Sequence, residues 1–293
     1  DWCDATWNPV TGCLHGCNYC YAKKIAERFC GAYEFICEQK RDTESGQFVY
    51  RPDGSPVFEK LGVYKTTSNS QLHILPLRCT EQDALTAGTI EENEGRAPRV
   101  YPYPFGFDPT FHLYRMAEPL YWKKPKTIFV CSMADLFGAW VPDEWIKQVF
   151  DACVKAPQHR YLFLTKNPKR YVELANDLDW WEDYFERGNF WFGSTVTDGD
   201  MPFFNPKSKT VHTFVSVEPI QEDFGDFLIS EVADWVIIGA ETGNRKDKVV
   251  PEKSWIDSIA GQCKADGVPV FMKESLRDLM GDDFRQEFPW EVK

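Results

Sequence analysis

The segment Thr6-Trp7-Asn8-Pro9-Val10-Thr11-Gly12-Cys13-Leu14-His15-Gly16-Cys17-Asn18-Tyr19-Cys20-Tyr21-Ala22 carries three cysteines at spacings of four and three residues. In a turn that leads into a helix, thiolates so spaced can converge on one metal centre. Three thiolates on a four-iron cluster leave one iron without a protein ligand, as a catalytic zinc site keeps an open position, and an open iron is where chemistry can happen. Gly12 and Gly16 suit a loop wrapped closely around such a group, where a Cβ would crowd the backbone. The same cysteines also suit a zinc knuckle completed by His15 or by a distant cysteine. Zinc knuckles rarely stand at the front of a long βα array, whereas a cluster loop after a first barrel strand needs that placement.

The elements that must carry this loop follow from the apolar pattern. Strands are predicted at Ala5–Val10, Thr127–Ser132, Tyr161–Thr165, Phe190–Ser194, Thr210–Val217, Trp235–Gly239 and Pro269–Met272, each apolar on both sides, as buried parallel strands must be. Helices are predicted over Tyr21–Phe29, over Asp143–Lys155 behind Pro142, and over Ser254–Ala265 before Gly267. Seven strands alternating with helices give an α/β fold, a partial or near-complete (β/α) barrel with an inserted irregular segment. Residues 1–30 form the first βα unit with the cysteine loop, 31–104 the insertion, and 105–293 the remaining βα units of the same barrel domain. Within the insertion a hairpin is predicted from Phe48–Arg51 and Val57–Glu59 around Pro52-Asp53-Gly54, and the acidic stretch Glu81 to Glu94 reads as mobile.

Active sites of βα barrels lie at the carboxyl ends of the strands. The polar residues there are Ser132 and Asp135, Thr165 and Lys166, Ser194 and Thr195, Ser216 and Glu218, Glu241 and Thr242, and Lys273 and Glu274. Each also suits a solvated loop or a helix N-cap. Trp2, Trp7 and Tyr21 flank the cysteines and suit shielding, stacking or plain core packing.

Cys-x3-Cys-x2-Cys with an aromatic residue, Tyr19, before the last cysteine resembles the signature of the radical S-adenosylmethionine superfamily. The phrases Trp7-Asn8-Pro9-Val10-Thr11-Gly12-Cys13, Ser132-Met133-Ala134-Asp135-Leu136-Phe137, Leu164-Thr165-Lys166, Ser216-Val217-Glu218-Pro219 and Asp234-Trp235-Val236-Ile237-Ile238-Gly239 resemble a phage-associated branch with no assigned reaction. The resemblance implies a radical-SAM-type barrel, with a 4Fe–4S cluster held by Cys13, Cys17 and Cys20. It implies S-adenosylmethionine bound through its amino and carboxylate groups to the open iron, cleaved to a 5′-deoxyadenosyl radical that takes hydrogen from a substrate. A reductant such as flavodoxin or ferredoxin is implied as partner. The cofactor-binding candidates are then Ser132, Asp135, Thr165, Lys166, Ser194, Ser216, Glu218, Glu241 and Lys273. A lysine suits the cofactor carboxylate, and a glutamate suits the ribose hydroxyls or the amino group. Ser132 and Asp135 stand where many relatives carry a glycine-glycine-glutamate motif for the amino group, and this chain departs from it.

A nucleotide or a modified DNA base is the expected substrate class, with isomerisation, repair or modification as outcome. A base in duplex DNA would have to be extruded to reach a barrel mouth. A peptide substrate fits less well, because only Cys263 lies beyond Cys153 and no cysteine-rich extension follows. Two other classes remain: a zinc- or cluster-stapled binding protein without turnover, and an oxygen sensor or electron carrier. The last usually has a fourth cysteine nearby, and none follows Cys20 until Cys30.

The formal net charge of −12 repels a nucleic-acid backbone in bulk and leaves room only for a local basic groove. No stretch nears the roughly 18 apolar residues of a membrane span, and Asp1-Trp2-Cys3 lacks a secretory pattern, so a cytoplasmic, membrane-free, reducing location is expected for the ten cysteines. Cys153 and Cys263 read as packing residues on apolar helix faces. Cys30, Cys37 and Cys79 suit an auxiliary metal only loosely. Among scattered histidines, His15 alone sits where it could bond a cluster sulfur.

Overall fold

A computed structural model of the chain describes residues 1–30, 34–39, 41–42, 45–50, 52, 58–66, 72–75, 78–79, 102–103, 105–176, 180–199, 201–206, 208–225, 229–231 and 233–291. The central element is a parallel sheet of seven strands in sequence order, curled into a half-barrel. Its strands are β1 (Ala5–Trp7), β2 (Thr127–Val130), β3 (Arg160–Thr165), β4 (Phe190–Thr195), β5 (His212–Val217), β6 (Val236–Ile238) and β7 (Val270–Met272). Six coincide with the expected apolar runs, because strands covered on both faces cannot carry polar alternation, whereas the expected first strand Ala5–Val10 stops at Trp7 before Pro9 and its Val10 pairs in a separate sheet.

The period of two divides each strand between an inner and an outer core. On the concave side Trp2, Leu162, Trp191, Phe214, Trp235, Ile237 and Phe271 form one cluster, joined by Phe129, Leu164, Phe288 and Trp290. These rings plug the half-barrel, so a ligand has room only above them. On the convex side Tyr161, Phe163, Phe190 and Phe192 pack with Val149, Phe150 and Cys153 of the helix Asp143–Lys155. Val215, Val217, Val236 and Ile238 pack with Ile256, Ile259 and Cys263 of the helix Lys253–Asp266. That second helix ends where Gly267 turns left-handed at φ +72° and Val268 N–H reaches back to the Cys263 carbonyl at 2.8 Å. Cys153 and Cys263 are thus buried packing residues.

The strict alternation of strand and helix lapses in two places. Among the described residues, β4 and β5 are joined without a helix, and β5 and β6 only through the short 3-10 turn Ile229–Glu231. Pro202, Pro206 and Pro219 interrupt these connections, and each removes a backbone donor that a helix would need.

The insertion pairs differently from its expected hairpin. Phe58–Thr66 lies antiparallel to Glu34–Gln39 and to Leu72–Leu75, whereas Phe48 bridges Arg41. The turn signal marks a reversal but cannot choose the partner strand, which is fixed by non-local backbone pairing. Residues 51, 53–57 and 80–100 lie outside the described residues, and the acidic stretch from Glu81 to Glu94 with them. A third small sheet joins Val10–Thr11 to Thr110–His112 and on to Arg78–Cys79. Among the described residues no helix is long and apolar enough to cross a membrane.

That third sheet buries His112, whose Nε2 shares a 2.8 Å hydrogen bond with Thr11 Oγ1. Its Nδ1 has no partner among the described residues. Burial, reinforced by the nearby Arg115 charge, pushes its pKa well below the ordinary histidine value. The unfolded chain therefore binds a proton below about pH 6.5 that the folded chain refuses, so this group's contribution to stability falls as pH drops from 7. Urea midpoints at pH 7 and pH 5 should differ more for the natural chain than for His112→Gln. Equal differences would remove His112 as a cause.

Candidate functional site

Above the aromatic plug lies a cavity of about 540 Å³ at the carboxyl ends of the strands. Cys13, Cys17 and Cys20 line one side of it; Lys166, Thr195, Ser216, Glu218 and Lys273 line the strand-end side, and Trp2, Phe129 and Leu164 meet it from below. The cysteine loop leaves β1 and is pinned to neighbouring segments. Gly12 N–H donates to the Met133 carbonyl at 2.9 Å, and Cys13 N–H to the Phe107 carbonyl at 3.1 Å. Gly12 adopts φ +89°, and a Cβ there would stand 2.2 Å from the Asp108 carbonyl oxygen. The crowding comes from this neighbouring backbone. Gly16, at φ +71°, has open space around it, so only its backbone angle calls for glycine.

Cys20 caps the helix Tyr21–Phe29, its sulfur accepting from Lys23 N–H at 3.4 Å. The Cys13 thiol is pushed up to about 12, first by burial and then by the charges of Asp135, Cys17 and Cys20, against a hydrogen bond from the His15 backbone N–H. The Tyr19 hydroxyl is pushed up first by burial and then by the neighbouring Cys17 and Cys20. The three sulfurs are therefore close enough to feel one another.

Among the described residues no group of three or more His, Cys, Asp or Glu side chains is gathered to hold a single metal ion. A zinc ion draws its ligands to about 2.0–2.3 Å from one point. Cluster thiolates bind separate irons and can stand further apart. Three soft sulfur donors on one wall of a cavity, with Cys20 accepting a backbone N–H, fit that second requirement.

The strand-end candidates divide by what they already bond. Asp135 is buried, and protein donors fill all four of its lone-pair positions. Oδ1 accepts from Phe137 N–H at 3.0 Å and the Thr165 hydroxyl at 2.7 Å. Oδ2 accepts from Lys166 N–H at 2.9 Å and His15 Nε2–H at 2.7 Å. Nothing is left to receive a cofactor's amino group, and the expected binding role for Asp135 gives way to a structural one. Thr165 is spent likewise: its hydroxyl donates to Asp135 and accepts from Asn167 N–H at 2.9 Å. Ser194 does not line the cavity; its Oγ accepts from Phe204 N–H at 2.9 Å, because the strand period turns its side chain to the convex face. Glu241 lines the cavity but is held by both arms of Arg245, at 2.8 and 2.7 Å, which keep its carboxyl below the ordinary range. The Ser132 hydroxyl donates to Asn8 Oδ1 at 3.2 Å.

Five groups stay turned to the cavity: Ser216, Thr195, Lys166, Lys273 and Glu218. Ser216 Oγ is buried with no partner among the described residues. Thr195 is its register partner on β4. Lys166 lies over the Tyr19 ring at 5.6 Å, its ammonium making no ion pair among the described residues, and burial lowers its pKa against the nearby Cys17, Asp135 and Glu218. Lys273 pairs with Glu218 and lies over the Trp2 ring at 5.3 Å. Gly239 makes room for that pair, since a Cβ there would meet the Lys273 chain at 3.1 Å.

A family model, DUF5131, a protein of unknown function, matches residues 87–277. The chain belongs to that family. No curated protein and no solved structure matches it. The span that defines this DUF5131 chain holds every strand-end candidate from Ser132 to Lys273, while the three cysteines precede it.

Sequence reasoning passed over Asn8, whose Oδ1 also receives Met133 N–H at 2.9 Å and so joins β1 to the loop after β2. Cys131, at φ +60°, turns the chain there and was unmarked. Cys3 lines the cavity too, without belonging to a motif. His159 bonds Lys126 N–H and the Pro119 carbonyl, and His212 stacks on Trp191, so both serve the fold, while the His73 side chain lies outside the described residues. Trp7 packs in the convex core, away from the cavity. Cys30 bonds its own helix, donating to the Glu27 carbonyl, while the side chains of Cys37 and Cys79 lie outside the described residues.

Proposed function

We propose that this chain is a radical S-adenosylmethionine enzyme, its cluster held by Cys13, Cys17 and Cys20, acting on a nucleotide or modified DNA base. The observation that carries the reading is the single cavity shared by three cysteine sulfurs and the unspent polar groups of the strand ends. Bound there, a 4Fe–4S cluster with one iron free of protein ligands supplies the electron that splits S-adenosylmethionine and opens hydrogen abstraction from a substrate.

The chain's own contribution is binding, orientation and exclusion. Lys166 and Lys273 offer cations for carboxylate or phosphate oxygens, and Glu218 offers an acceptor for hydroxyl or amino groups. Ser216 and Thr195 add neighbouring hydroxyls on adjacent strands. The aromatic plug closes the site from below and keeps water from that side.

The test is anaerobic reconstitution with iron and sulfide, then dithionite and S-adenosylmethionine, with 5′-deoxyadenosine measured by chromatography. Its formation is the expected result, and its absence from a fully loaded chain sinks the proposal. Lys273→Met and Glu218→Gln should leave iron content and visible spectrum unchanged while weakening S-adenosylmethionine binding about tenfold or more, the worth of one charge-assisted hydrogen bond. Unchanged affinity would return the pair to the fold.

A further inference from the structure

Between Cys13 and Cys17 the loop has little to hold it. Leu14, His15 and Gly16 are all exposed. The backbone bonds of Gly12 and Cys13 fix the loop's entry, and Cys20 N–H, donating to the Cys17 carbonyl at 3.2 Å, fixes its exit. Across the arc itself, the described side-chain hydrogen bond is His15 Nε2–H to Asp135 Oδ2 at 2.7 Å, with the His15 ring edge-on to Trp140 at 4.9 Å.

Asp135 is a firm anchor. Its other three acceptor positions are taken by groups of the β2–β3 region, so the carboxylate cannot swing. Holding the His15 ring there ties the middle of the arc, two residues from Cys13 and two from Cys17, to that anchor.

We infer that Asp135 is a positioning residue that acts through His15 to hold the arc between Cys13 and Cys17, setting the places of both sulfurs and the affinity for the group they help hold. This rests on the cluster reading for its second half only. Outer partners that orient ligands matter for metal affinity by about 10–100-fold.

His15→Ala is the informative variant, because the side chain is on an exposed loop and its removal does not threaten the core. In the metal-free protein, amide exchange at residues 14–16 should quicken at least tenfold, with exchange across β2 and β3 unchanged. After reconstitution, iron content should fall. His15→Gln, whose amide can still donate to the carboxylate, should recover part of both, and Asp135→Asn should loosen the same three residues. Natural exchange rates in His15→Ala overturn the tether. Faster exchange with unchanged iron content overturns the positioning role. A natural chain that takes up no cluster overturns the proposed function, while the exchange measurement still decides the tether.

Discussion

Replacing Cys13, Cys17 or Cys20 singly by alanine should leave a folded chain that holds little iron and forms 5′-deoxyadenosine at least about 100-fold more slowly, more than the loss of an outer partner costs. All three side chains are half-buried on one cavity wall, and none packs in the hydrophobic clusters that hold the two helices to the sheet. Removal of Cys13 or Cys17 therefore subtracts a donor without opening a core void, and removal of Cys20 also takes the cap from the helix Tyr21–Phe29 and a contact from Ala22, Ala26 and Met133. Two controls separate ligation from packing. Cys153→Ala and Cys263→Ala lie in those clusters, and each should cost about 1 kcal/mol of stability with iron content unchanged. Cys3→Ala, on the same cavity but outside the motif, should also keep its iron. Iron and sulfide assays on the purified variants decide the matter: full iron in any of the first three would move the ligand elsewhere.

Gly12→Ala should be the most disruptive single methyl group in the site. Its Cβ would lie 2.2 Å from the Asp108 carbonyl oxygen, 2.3 Å from that carbon and 2.6 Å from Pro109 N, all backbone atoms that cannot rotate away. The left-handed angle adds its own penalty of about 1–2 kcal/mol, and forced overpacking adds about 1–3 kcal/mol. A loss of about 2–5 kcal/mol in urea unfolding is expected, with displacement of Cys13, the next residue. Gly16→Ala bears only the first penalty, because nothing lies within 4 Å of its added Cβ. Equal losses at the two positions would mean that the approach of residues 12 and 108 is not close in solution.

Much of the frame was legible beforehand. The apolar runs became seven strands in sequence order, the first cut short at Trp7 with Val10 passing to another sheet, and the helix Asp143–Lys155 had the expected bounds, because Pro142, the acids of its first turn and its apolar spacing all agree. The insertion was marked as irregular, but not how its strands pair, since register between distant segments is set by backbone partners that no local signal names.

For the candidate site, residue type and spacing alone determined that three cysteines stand together after the first strand and that polar residues cap each strand. Which of those polar residues are free was decided by tertiary structure. A hydroxyl or carboxylate looks the same in sequence whether it faces a ligand or a neighbour's N–H, and only folding brought Phe137, Thr165, Lys166 and His15 around Asp135, and Phe204 onto Ser194. Ser216 kept an unpartnered hydroxyl in the cavity because the strand period points it inward and no donor or acceptor from another element arrives there. Local pattern can place a polar group at a strand end; whether its hydrogen bonds are already used depends on contacts between residues far apart in the chain.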